Sequence, residues 1–187
     1  MTGHALRQLP NIITTLRLLL AVPICVLILT ENYQTVLWVA VIAGLSDGVD
    51  GWLARKFDCV SRYGSTIDPL ADKVMLVGTY VSFALVGLLP WWVATIVVVR
   101  DLIIITGALT YHLLFGSYNM EPTVWGKFST CVQITLALML LGHQVYPIFP
   151  AISFQIGIGL LLVMAVISGG HYLYVWGGKA LTTLREQ

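Results

Sequence analysis

The sequence predicts an all-α, polytopic integral membrane protein with six transmembrane helices. Three observations carry that prediction. Hydrophobic residues fill 58% of the 187 positions. Charged residues fill only 10%, against roughly 25% in an ordinary soluble domain. The apolar residues also fall into stretches near the length that crosses a hydrocarbon core about 30 Å thick, which takes about 20 residues of helix.

The first span runs from about Asn11 to Thr30 and ends at the polar "ENYQ". The second covers Thr35 to about Phe57, and the third runs from about Ser65 to Leu89. "LLPWW" turns the chain into a fourth span that continues to Phe115, where "GSYNMEPT" breaks the pattern. A fifth covers Val124 to Leu141, "GHQVYPIFP" forms a loop, and a sixth covers Ala151 to Trp176 before "GGKALTTLREQ" leaves the membrane. No internal repeat or linker interrupts the series, so residues 1–187 read as a single transmembrane domain. Arg7 followed by the apolar run from Leu16 to Leu29 resembles a signal peptide, but no A-x-A-like cleavage site follows, and the run reads as a retained first span.

Other classes fit poorly. A net charge of +1 lacks the basic footprint of a nucleic-acid binder, so membrane lipids are the expected partners. Cys25, Cys59 and Cys131 form no CxxC pair and suggest neither a disulfide framework nor a zinc site. Orientation follows from the basic residues, in which cytoplasmic loops are enriched. Arg7, Arg55, Lys56, Arg62, Lys127, Lys179 and Arg185 lie in or beside segments that six spans put on one side, while the loops around Asn32, Pro90 and Tyr146 have none. Both termini are therefore expected in the cytoplasm. Trp38, Trp91, Trp92, Tyr146 and Trp176 near span ends fit an aromatic belt.

Five of the nine acidic residues lie in one stretch, "SDGVDGWLARKFDCVSRYGSTIDPLADK". A helix turns about 100° per residue, so Asp47, Asp50, Gly51 and Ala54 share one face at the inner end of span two. Gly64, Asp68 and Asp72 stack likewise at the inner start of span three. Consecutive spans joined by a short loop are expected to be antiparallel neighbours, which gathers four carboxylates. Unpaired, they would repel one another, and charge within a membrane is costly, so a cation is required. Ligands that offer only oxygen, without His or Cys, point to Mg2+ or Mn2+, and four carboxylates suit two ions. The alternative is an interfacial charge network with Arg55, Lys56, Arg62 and Lys73. Against it, Gly48, Gly51, Ala54 and Gly64 leave a hollow beside the acids, and a hollow beside cations suits an anion. Arg55 adds a guanidinium fork matched to phosphate. Asp58 reads as a solvated loop charge, and Pro69 as a structural residue in the first turn of its helix.

The pattern Asp47-x2-Asp50-Gly51-x2-Ala54-Arg55-x8-Gly64-x3-Asp68-x3-Asp72 resembles, with every position filled, the signature of the CDP-alcohol phosphotransferases, membrane enzymes of phospholipid biosynthesis. The opening "LPNIITTLRLLLAVP" also looks like that family's first span. The resemblance implies a transferase in which an acceptor hydroxyl attacks the phosphoryl joining the CDP unit to a lipid, releasing CMP. It implies that Asp47, Asp50 and Asp68 hold two metal ions, with Asp72 as the base and a further metal contact. It also implies that Gly51, Ala54 and Gly64 shape the nucleotide recess, with Arg55 on its phosphates and Asn11, Thr14 and Arg17 lining it from span one. Many members look like homodimers, and the expected location is the inner (cytoplasmic) membrane.

For the acceptor, Arg100, Lys127 and Arg62 are candidate cations. Arg100 with Asp101 reads equally as an internal ion pair holding two spans in register. Lys73 either reaches lipid phosphate or snorkels to the surface. His112, His143 and His171 lack ligand spacing. "RDLIIITGALTYHLL" and "EPTVWGKFSTCVQITLALML" look like segments of eukaryotic-type cardiolipin synthases, which join CDP-diacylglycerol to phosphatidylglycerol. Phosphatidylglycerophosphate synthases, which use glycerol 3-phosphate, look similar over the first three spans and share a Gly-Lys like Gly126-Lys127. An ion or proton transporter is the reading from another class. It predicts polar groups through the membrane depth, whereas these carboxylates gather at one surface.

Overall fold

A computed structural model describes the backbone of residues 19–56, 64–115 and 124–185, and the side chains at 19–45, 72–107, 110, 124–172 and 174. Among these residues the regular structure is helical: α1 (Leu19–Leu29), α2 (Tyr33–Lys56), α3 (Gly64–Leu85), α4 (Trp91–Phe115), α5 (Val124–Val145) and α6 (Ala151–Arg185). Many are rich in Val and Ile, which weaken helices in water. In lipid a helix satisfies every backbone group internally, and that requirement outweighs the propensity penalty. Hydroxyls obey the same rule. Exposed Thr106 and Thr135 donate to the carbonyls of Leu102 and Cys131 one turn back, at 2.6 and 2.8 Å.

Two turns end their helices in the same way. After α1, the Asn32 N–H donates to the Leu27 carbonyl and the Glu31 N–H to the Ile28 carbonyl, each at 2.9 Å. Glu31 sits in the left-handed region at φ 58°. After α3, the Leu88 N–H donates to the Phe83 carbonyl at 2.9 Å and the Gly87 N–H to the Ala84 carbonyl at 3.2 Å, with Gly87 at φ 76°. Both are Schellman caps, which satisfy the last carbonyls through one left-handed residue. Asn32 then starts α2, where its Oδ1 accepts from the Thr35 hydroxyl at 2.8 Å. Pro90 and Pro150 immediately precede α4 and α6.

These caps move the expected boundaries. The third span was expected to reach Leu89, but α3 stops at Leu85 because Gly87 turns the chain and Pro90 resets it. The fifth helix runs past Leu141 to Val145. The sixth passes Trp176, and even Gly177-Gly178, to Arg185, giving 35 residues and about 52 Å of helix. Its apolar, span-length part is Ala151–Tyr172, and Val124–Val145 is a second candidate span among the described residues.

The helices divide into two compact units. One takes α1, α2, α3 and the end of α5 with its following loop (Ala137–Ile148). Its buried positions include Ile24, Ile28, Val36, Tyr80, Phe83 and Leu140, and the Tyr80 and Phe83 rings meet edge to face at 6.2 Å. α1 and α3 approach closely: a Cβ on Gly78 would lie 2.9 Å from Cys25 Sγ. The other unit takes α4, the start of α5, and α6. On α4, Val93, Val97, Arg100 and Ile104 recur every three or four residues as a buried stripe. α5 meets α6 where a Cβ on Gly157 would lie 2.8 Å from Leu136 Cδ1. Outside these stripes the surface is apolar: Leu19, Val22, Leu45, Ile152 and Val166 are all exposed. Large exposed apolar areas of this kind suit lipid rather than water.

Candidate functional site

The carboxylate pattern lies on helix, as its spacing requires. α2 is continuous through Asp47, Asp50, Gly51, Ala54 and Arg55, and α3 is continuous through Gly64, Asp68 and Asp72. Both belong to one compact unit. The side chains at 46–56 and 64–71 lie outside the described ones, as do Asn11, Thr14, Arg17 and Arg62 altogether. Asp72 and Lys73 are described. Both are half-buried on α3, and each interacts with the rest of the protein. Among the described residues no group of three or more His, Cys, Asp or Glu side chains gathers, and Asp72 is the one member of the acidic signature whose side chain is included. The donor set itself, four carboxylates with only oxygen to offer, fits hard divalent ions.

The acceptor-side candidates separate. Lys127 is exposed, in the first turn of α5. Arg100 is only 5% exposed, and its guanidinium is engaged inside the protein. Nη1 donates to Asp101 Oδ1 at 2.5 Å, and Nη2 donates to Ser168 Oγ at 2.7 Å. Nη2 also points to the Gly126 carbonyl at 3.5 Å. Of the two sequence readings for Arg100, this geometry has the form of the internal ion pair, joining α4 to α6 with a long contact to α5. The energetics agree. A buried guanidinium requires a counter-charge and hydrogen-bond acceptors, and Asp101, 2% exposed, supplies the charge.

Sequence reasoning missed Ser168, which is 0% exposed. A serine in an apolar helix carries no signal of its partner 68 positions away. Ser129 and Gln133 on α5 are also buried. His143 and His171 are half-buried on different helices. Cys25 and Cys131 are free thiols.

Long helices with apolar exposed faces define a membrane-associated helical protein. Within that class, the chain belongs to the CDP-alcohol phosphatidyltransferase family, whose model matches residues 7–174. It is 28% identical over 193 residues to the cardiolipin synthase (CMP-forming) of Rattus norvegicus, covering 95% of this chain and 64% of that protein. It is 33% identical over 138 residues to the CDP-diacylglycerol–glycerol-3-phosphate 3-phosphatidyltransferase of Aquifex aeolicus, covering 72% of this chain and 75% of the other. A probable phosphatidylglycerophosphate synthase of Mycobacterium tuberculosis is 32% identical over 143 residues, covering 72% of this chain and 66% of that one. The chain thus spans less than two thirds of the length of its rat and human cardiolipin synthase relatives, 64% in each case.

Proposed function

We propose that this chain is a metal-dependent phosphatidyltransferase that moves a phosphatidyl group from CDP-diacylglycerol to phosphatidylglycerol, making cardiolipin and releasing CMP. The observation that carries the chemistry is the acidic signature, complete in sequence and set on two consecutive helices of a family member. The acceptor choice is supported by the extent of similarity, which reaches 95% of the chain for the rat cardiolipin synthase and 72% for the Aquifex glycerol-3-phosphate enzyme. Glycerol 3-phosphate is the second reading, supported by the higher identity to the Aquifex protein, 33% against 28%. The match to a family of phosphatidyltransferases favours this reading over a transporter.

In this proposal Asp47, Asp50, Asp68 and Asp72 hold two ions, Mg2+ or Mn2+. When bound, such ions neutralise diphosphate charge and make an adjacent hydroxyl more acidic. Asp72 takes the proton of the acceptor hydroxyl. That oxygen bonds to the lipid-linked phosphorus, the bond from phosphorus to the CMP oxygen breaks, and CMP leaves with the electron pair. Arg55 steadies the phosphates, with Gly51, Ala54 and Gly64 leaving room for the nucleotide and Asn11, Thr14 and Arg17 lining the recess. Lys127 and Arg62 attract the acceptor's phosphate. Positioning and charge neutralisation supply most of the rate, as expected for phosphoryl transfer. We further propose six membrane spans in a single domain, a homodimer, and a cytoplasmic location for both termini and the active site in the inner membrane.

The test supplies purified protein with Mg2+ or Mn2+, CDP-diacylglycerol, and either phosphatidylglycerol or glycerol 3-phosphate, and follows CMP and lipid products. CMP release with phosphatidylglycerol alone supports the proposal. Release with glycerol 3-phosphate alone replaces the acceptor, and undiminished turnover in excess chelator sinks the metal chemistry.

A further inference from the structure

We propose that Arg100 is a positioning residue for the acceptor half of the reaction, acting through the first turn of α5; the inference rests on the reading of Lys127 as the acceptor-side cation. The guanidinium touches three helices of one compact unit: Asp101 on its own helix α4, Ser168 on α6 at 2.7 Å, and the Gly126 carbonyl on α5 at 3.5 Å. Gly126 directly precedes Lys127 in the sequence. Arg100 itself is 5% exposed and paired, so it is poorly placed to meet a substrate anion, whereas Lys127 is exposed.

The cluster lies at particular places along its helices. Gly126 is in the opening turn of the candidate span Val124–Val145, and Ser168 is in the last turn or so of the candidate span Ala151–Tyr172. On α5 the contact therefore falls in the opening turn, where helix ends fray most readily, whereas α6 continues as helix past Ser168 to Arg185. The same carbonyl also receives the Thr130 hydroxyl at 3.1 Å, so the first turn of α5 is fastened from within and from α4. The network is also incomplete as a purely stabilising device. Arg100 Nε is buried and makes no hydrogen bond among the described residues, an arrangement that costs stability in a dry interior. Such costs are retained where a group has a task beyond holding the fold.

Ser168→Ala is the decisive substitution, because it removes one arm of the clamp without leaving a buried charge alone, as Arg100→Ala would. Acceptor and CDP-diacylglycerol are titrated separately, following CMP release, in the wild type, Ser168→Ala, Lys127→Ala and the double variant. The expected result is an acceptor KM raised about tenfold by Ser168→Ala, the scale of one lost hydrogen bond to a charged group, with kcat and the CDP-diacylglycerol KM changed less than about twofold. In the Lys127→Ala background the same substitution is expected to add little, because the group it positions is gone. Equal effects on both substrates, a loss confined to kcat, or independent multiplication of the two substitutions would overturn the positioning role while leaving Lys127 on the acceptor. An acceptor KM unmoved by Lys127→Ala would overturn the positioning role together with the reading of Lys127.

Discussion

The acidic stretch on α2 and α3 and the buried cluster on α4, α5 and α6 place charge in an apolar protein by different means. The acidic residues recur three or four positions apart along two consecutive helices, so helical geometry alone sets which of them share a face. The Arg100 cluster joins residues 26 and 68 positions apart, and exists only because three helices pack. One region is an acidic pattern read along two consecutive helices, with Asp72 half-buried on α3. The other is sealed, with Arg100, Asp101 and Ser168 each 5% exposed or less. In the proposed reading the acidic stretch serves chemistry directly, whereas the buried Arg100 acts through the helices it joins.

The contrast is broken most directly by charge removal in the first region. Asp68→Asn and Asp72→Asn are each expected to lower CMP release by about a thousandfold or more, the scale of losing a metal ligand or general base. Both proteins are expected to keep the wild-type melting temperature and elution volume. An unfolded Asp72→Asn, or one with retained turnover, would merge the two regions into one structural class.

In the second region the order of effects is expected to reverse. Arg100→Ala is expected to cost about 3 to 5 kcal/mol of stability, because it strands Asp101 without its guanidinium partner. Replacing Asp101 by Asn as well should cost less than the sum of the single changes, the sign of a coupled pair, read by thermal unfolding in detergent. Additive losses would mean that the two groups act independently.

Gly78→Ala probes how far the first region also depends on packing. α3 carries Asp72, and an added Cβ would lie 2.9 Å from Cys25 Sγ on α1. The expected cost is about 1 to 3 kcal/mol from overpacking, and pairing it with Cys25→Ala is expected to recover much of the loss. The smallest effect is local. Glu31 occupies the left-handed position that Gly87 fills in the matching cap, and Glu31→Gly is expected to stabilise by about 0.5 to 1 kcal/mol, with CMP release unaltered.

Much of this protein is legible one residue at a time. Helix existence, membrane character and the acidic signature follow from composition and spacing, because in lipid the backbone has little choice but to close its own hydrogen bonds. The first turn after α3 was less legible. Gly87 and Pro90 both mark it, yet the apolar run continues to Leu89 and conceals the end of the helix at Leu85. The cap at Glu31 carries no sequence mark at all, since a non-glycine residue gives no warning of a positive φ.

The sequence by itself determined the helical class, the family and the acidic signature, because each rests on local periodicity or fixed spacing within about one helical hairpin. Only the tertiary structure decided that Arg100 is buried against Asp101 and Ser168 while Lys127 stays exposed. Both are cations in apolar helices, and the neighbouring Asp101 alone left two readings of Arg100 open. Their difference comes from which distant helix lies beside each one, a choice made by close packing rather than by the residues' own chemistry.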